Sequence, residues 1–206
     1  EPFAPFNLGL TMAGAGLLWV GWFGFNAGSA VAADGRAGLA MAVTHIAAAA
    51  GALSWMAAEW LARGRPSLLG LCSGLVAGLV AITPAAGFVS PRSALVFGAV
   101  AGAACYWGAT GLKRLLKADD ALDVFGVHGV GGIVGSLLTG VFASKTISGV
   151  GGSVLTQLIG VLAVASYSLL MTGLVLWVTS RFVCLRVSAE EESDGLDITQ
   201  HAERLG

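Results

Sequence analysis

The amino-acid sequence predicts an all-α polytopic membrane protein with six transmembrane helices. Hydrophobic residues make up 56% of the chain and charged residues only 11%, whereas a soluble domain carries about 25% charged residues. The few charges are also clustered. They leave six uncharged runs: Pro2 to Ala33, Ala37 to Ala58, Pro66 to Pro91, Ser93 to Leu112, Val124 to Ser144 and Thr146 to Ser180. Each reaches the roughly 20 residues a helix needs to cross about 30 Å of hydrocarbon. Such runs cannot be loops or open sheet, because lipid offers backbone amides and carbonyls no partners.

Taken in order, the spans are predicted at about Leu8–Ala33, Leu39–Leu61, Leu68–Phe88, Ala94–Leu115, Val124–Phe142 and Leu155–Val178, within a membrane region covering residues 1–180. Breakers and charges mark the connections: Asp34-Gly35-Arg36, Arg63-Gly64-Arg65-Pro66, Ser90-Pro91-Arg92, Lys117 to Asp120, and Ser148 to Ser153. From residue 181 to 206 the composition turns polar and acidic, as expected of a cytoplasmic tail. With that tail inside, Arg63, Arg65, Lys113, Arg114, Lys117, Arg181, Arg186 and Arg204 gather on the inner side. Only Arg36, Arg92 and Lys145 remain outside, which satisfies the positive-inside rule. The expected location is a cell (inner or plasma) membrane. The N-terminus has no basic stretch or cleavage site of a signal peptide, and it begins abruptly at Glu1-Pro2-Phe3, as though cut from a longer chain.

Cys72 and Cys105 fall in apolar runs and Cys184 lies at the last boundary, so they read as small hydrophobes rather than a disulfide framework or metal site. No cofactor is expected. Gly70, Gly74 and Gly78 repeat at four-residue spacing, as do Gly131 and Gly135. Each set forms a small face that lets helix backbones approach closely in lipid.

Polar side chains in the spans are few, and an ionisable one is functional by default because burying it is costly. His128, in Asp123-Val124-Phe125-Gly126-Val127-His128-Gly129, is flanked by glycines that allow a helix or a small solute close to its imidazole. His45, near the outer end of the second span, reads as an interfacial or packing histidine. Asp123, with Asp119 and Asp120, precedes the fifth span and reads as a helix cap. Glu59 reads as a structural partner of loop arginines. In the first span Phe25 and Ser29 are four residues apart and share a face. An aromatic ring beside a hydroxyl suits a cation.

At these residues the sequence resembles the ammonium transporter family (Amt/Mep/Rh). The matching stretches are Gly21 to Ala30, Gly64-Arg65-Pro66-Ser67-Leu68-Leu69-Gly70, Ser73-Gly74, Ala77 to Ala85, Asp119-Asp120, Asp123 to Gly129, and Gly195-Leu196-Asp197 with His201. The resemblance implies the second half of an eleven-helix fold, its sixth to eleventh spans, and a homotrimer with one narrow hydrophobic pore per subunit for ammonium or ammonia. Ser29 would accept a hydrogen bond from ammonium in an outer vestibule, and Phe25 would be one of the gating rings. His128 would be one of two pore histidines. Trp22, Val124 and Thr83 would lie near the lumen, while Asp123 and Asp120 would be structural. The family's first five spans, with the second histidine, are absent, so the chain reads as a truncated, split or incompletely represented transporter. Gly195, Asp197, Thr199 and His201 match a cytoplasmic regulatory element, with Thr199 where some members are phosphorylated. The family's glycine after the histidine is here Ala202. A PII-type signalling protein is the implied partner of the inner face in bacteria.

Two other functions compete. An intramembrane serine protease needs a nucleophile beside its base, but Ser73-Gly74 is preceded by Leu71-Cys72 and the protease's glycine-serine loop is not there. No enzyme is expected. A sensor of the same fold, signalling ammonium status through its tail, is the nearer alternative.

Overall fold

The computed structural model describes residues 7–117 and 119–203. Glu1-Pro2-Phe3 and Arg204 lie outside them. Ten α-helices are described: α1 Leu8–Gly28, α2 Gly35–Arg63, α3 Leu68–Ile82, α4 Pro91–Trp107, α5 Lys113–Leu116, α6 Val130–Phe142, α7 Lys145–Ser148, α8 Val154–Thr179, α9 Ala189–Asp194 and α10 Leu196–His201. A 3-10 turn, Thr83–Ala85, extends α3, and π turns at Gly108–Leu112 and Phe125–Gly129 join α4 to α5 and lead into α6. Among the described residues there is no strand. Six helical stretches are long and apolar enough to span a membrane, in agreement with the expected class. The chain divides into two compact units, Glu1–Val161 and Leu162–Gly206, the division falling within the sequence of α8.

Local signals set the helix ends. Asn7, Asp34, Ser67 and Ser90 each cap the following helix with a side-chain oxygen that accepts backbone N–H bonds. Pro91 opens α4, where its missing N–H costs nothing. Gly64 closes α2 in the left-handed conformation, at φ 76°. The first apolar run extends to Ala33, yet α1 stops at Gly28. Val31 then turns with φ 56°, so apolarity outlasts the helix by five residues.

The first unit is organised around α2, which packs most extensively on α4 and α3. Its buried face is almost all small: Ala40, Ala47, Ala48, Gly51 and Ala52, with Val43 and Trp55. One core cluster joins Val43 and Ala47 to Ile82, Val89 and the fully buried Phe97. A second joins Trp55 to Ala77, Ala101, Cys105 and Val127. Trp19 and Trp22 of α1 pack against a third, made of Ala48, Ala52, Leu75 and Leu79. Glu59 is buried and takes hydrogen bonds from the Ser67 amide (2.9 Å) and hydroxyl, with Arg63 at 3.5 Å. It therefore ties α2 to the start of α3, as expected of a structural carboxylate.

One polar contact inside the apolar bundle fixes α1 on α2. The buried Asn26 donates from Nδ2 to Thr44 Oγ1 at 2.9 Å, and that hydroxyl donates to Ala40 O at 2.6 Å. A buried donor left without its acceptor costs about 1–3 kcal/mol. Thr44→Val should accordingly lower the melting temperature in detergent, whereas Asn26→Leu combined with Thr44→Val should recover most of the loss. Equal melting of Thr44→Val and the parent would show that this bond holds nothing.

In the second unit the tail is folded locally. Ser188 and Glu191 form a reciprocal capping box on α9, and hydrogen bonds from the Ser188 amide and hydroxyl hold the Glu191 carboxyl below its ordinary range. Arg186 reaches Glu192 at 3.1 Å, and Gln200 of α10 donates to Glu191 at 3.2 Å.

Candidate functional site: an apolar path along α1

The first unit carries two open cavities that adjoin along α1. One, of about 560 Å³, is lined by Gly14, Leu17, Leu18, Gly21, Trp22 and Phe25. The other, of about 350 Å³, shares Gly14 and Leu18 and adds Thr11, Ala15, Leu69, Cys72, Ser73, Val76, Leu122, Val127 and His128. The glycines at 14 and 21 leave room on one face of α1, where a Cβ would meet no atom.

The sequence-predicted residues distribute over these cavities as follows. Trp22 and Phe25 line the first, with their rings edge to face at 6.1 Å. Trp22 Nε1 donates to Thr83 Oγ1 at 2.8 Å, and the Thr83 hydroxyl donates to Leu79 O at 2.8 Å. The one polar atom of the indole is thus satisfied within the protein, so Trp22 offers the cavity only its apolar ring. Ser29 follows the end of α1, one turn beyond Phe25, and its Oγ donates to Phe25 O at 2.6 Å. With its only proton engaged, the hydroxyl presents lone pairs and can act only as an acceptor. His128 lies on the second cavity. Val124 is exposed and lines neither.

Local structure differs from the sequence reading in two respects. His128 stands in a π turn: the Val130 amide bonds Phe125 O, five residues back. This widens the turn by one residue relative to an α-helix. The carboxylates also divide their work differently. Asp120 is the cap, its two oxygens accepting from the Val124 and Phe125 amides at 2.8 and 2.9 Å. Asp123, expected as the cap, instead accepts from Lys113 Nζ at 2.8 Å. It stands at φ 55°, outside the extended conformation typical of a capping residue.

His45 stacks on Trp19, with centroids 5.0 Å apart and planes at 24°, and lies 6.0 Å from the Phe23 ring. These contacts match its reading as a packing histidine. The buried Trp19 indole N–H beside it has no hydrogen-bond partner. Sequence inspection did not single out that group, and nothing in the local pattern would have. Among the described residues no cluster of His, Cys, Asp and Glu could hold a metal ion.

In the tail, Thr199 Oγ1 donates to Gly195 O at 3.0 Å, and Gly195 stands at φ 100°. Ala202 closes α10 in the left-handed conformation, at φ 55° and ψ 29°. Glycine adopts that conformation freely, while a residue with a Cβ pays about 1–2 kcal/mol. The backbone therefore keeps a glycine-like turn at a position where this chain carries alanine.

Six apolar helical stretches define a multi-pass membrane protein, with an aromatic pair and a histidine lining adjoining cavities. Comparison with known proteins identifies which one: the profile of the Ammonium Transporter Family matches residues 1–205, and the chain belongs to that family. It is 43% identical over 210 residues to the ammonium transporter of Bacillus subtilis, across 98% of this chain and 52% of that protein. It is 49% identical over 207 residues to the ammonium transporter of Aquifex aeolicus, across 97% and 49% respectively. The structure superposes on Candida albicans Mep2 with a TM-score of 0.84 at 36% identity, over 98% of this chain and 48% of that one. A protein described as a sensor Amt protein gives a TM-score of 0.88 at 33% identity, over 95% and 49%. The chain spans about half the length of the curated relatives it matches.

Proposed function

We propose that this chain forms one wall of a narrow apolar path for ammonium and ammonia, with His128 as its hydrogen-bonding side chain. The observation that carries the reading is the pair of adjoining cavities on α1, one presenting Phe25 and Trp22, the other His128. Ammonium and potassium are too alike in size for a simple sieve. An apolar lumen charges any ion a large desolvation penalty. Ammonium alone can shed a proton and cross as a neutral molecule. Ser29, able only to accept, suits a solute rich in N–H donors at the outer mouth. Phe25 then screens the way inward, and the His128 imidazole, which can both donate and accept, receives the neutral form. Thr83 holds the Trp22 indole beside the path, and Val124, which lines neither cavity, would face the lumen only in the assembled protein.

The same reading places the protein in a cell membrane as a homotrimer with a cytoplasmic C-terminus. Gly195, Asp197, Thr199 and His201 form its regulatory element, open to a PII-type signalling protein. A phosphate on Thr199 would add charge near Asp197 and displace the turn at Gly195. Likeness to a sensor Amt protein favours a second reading, in which the tail reports ammonium rather than accompanying its flux.

Methylammonium uptake by proteoliposomes of the assembled protein tests the proposal. Saturable uptake that excess ammonium suppresses is the expected result. An assembled trimer without flux, whose tail changes protease sensitivity on adding ammonium, would replace transport by sensing.

A further inference from the structure

The two π turns lie against each other. A Cβ on Gly126 would stand 2.7 Å from Ala109 N, and one on Gly108 would stand 2.9 Å from Gly126 O. The turns therefore meet largely backbone to backbone, with the Val130 side chain beside the contact. Each is a true π turn by its closing bond: the Lys113 amide reaches Gly108 O and the Val130 amide reaches Phe125 O. π turns are rare, and an inserted residue re-aims neighbouring side chains by up to about 100°. Whether the turn at Phe125–Gly129 holds this register thus determines where His128 points.

One ion pair bridges the two turns at their inner ends. Lys113 is the residue that closes the first turn, and Asp123 stands two residues before the second. Their side chains meet at 2.8 Å and are 31% and 32% exposed. Asp123 holds a positive φ of 55°, a conformation less costly for aspartate than for most residues with a Cβ, and its surroundings help hold it there. Those surroundings include its carbonyl, which accepts from the Val127 amide at 2.8 Å, the residue directly before His128. Cys105 Sγ, from α4, lies 3.5 Å from Val127 O.

We propose that Lys113 and Asp123 are positioning residues, whose ion pair holds the two π turns in register and so sets the direction of the His128 imidazole. This rests on the transport reading only for its flux measurement.

The test uses the assembled protein with Lys113→Met, Lys113→Arg and the exchanged pair Lys113→Asp with Asp123→Lys. Two quantities are read: methylammonium uptake per folded trimer, and carbethoxylation of His128 by diethyl pyrocarbonate, followed on its own peptide by mass spectrometry. Lys113→Met should lower maximal uptake about three- to tenfold with little change in half-saturation, because the mouth is intact and the imidazole is misplaced. It should also change the His128 modification rate at least twofold, while His45 reacts as before. Lys113→Arg and the exchanged pair should restore both readouts. Unchanged His128 reactivity in Lys113→Met overturns the proposal. So does a loss confined to the yield of folded trimer. A parent protein without flux would defeat the transport reading alone, since the modification rate reports on the imidazole directly.

Discussion

Replacing His128 with alanine is expected to reduce methylammonium uptake roughly 5- to 150-fold. An ammonia-sized molecule in an apolar lumen has no water to bond, so each missing protein partner costs it about 1–3 kcal/mol, and about 1.4 kcal/mol is a factor of ten in rate. The imidazole is exposed to its cavity and belongs to none of the buried clusters. Stability should therefore stay within about 0.5 kcal/mol of the parent. That separation makes the experiment informative: melting in detergent reports the scaffold and uptake reports the path. Full uptake by a stable His128→Ala protein would remove the histidine from the proposed route.

The second large effect falls on the scaffold. Gly78→Leu should prevent recovery of folded protein, and Gly78→Ala should already lower its melting temperature. A Cβ at position 78 would run into Ala47 O and stand 2.9 Å from Ala48 Cα, and one at Gly51 would stand 2.9 Å from Gly78 Cα. The clash is with backbone on both helices, which cannot step aside as a flexible side chain would. Overpacking costs typically about 1–3 kcal/mol and sometimes more, and here the upper end is expected. Gly160→Ala serves as control, because a Cβ there meets nothing within 4 Å and a helix gains up to about 1 kcal/mol from the exchange. A Gly78→Leu protein that folds and melts like the parent would refute close α2–α3 contact.

Much of this architecture was legible in the sequence, and the reason is physical. Uncharged runs of about 20 residues have few alternatives in lipid, so six spanning helices followed from charge placement alone. The glycine spacing at 70, 74 and 78 announced the α3 face that meets α2. Trp22 and Thr83, remote in sequence, were named together only through family resemblance, and their hydrogen bond gives that grouping a geometry. The π turns were not legible, because periodicity reasoning assumes 3.6 residues per turn and a single inserted residue leaves no mark on composition. Capping was expected of Asp123 within its acidic group, whereas Asp120 of the same group makes the cap. A cap is recognised by position, and the position of Asp123 is changed by a positive φ that an aspartate does not advertise.

The small residues that fill the centre of α2 have a thermodynamic consequence. Ala40, Ala47, Ala48, Gly51 and Ala52 have no rotamers to freeze, so burying them costs almost no side-chain entropy, where long side chains lose up to about 2 kcal/mol each. Dispersion between closely approaching backbones is then opposed by little. The block behind α1 should consequently stay rigid as temperature rises, with thermal disorder confined to the larger side chains on its surface. The proposed path, whose apolar wall would exclude ions, would benefit from a support with so few ways to fluctuate.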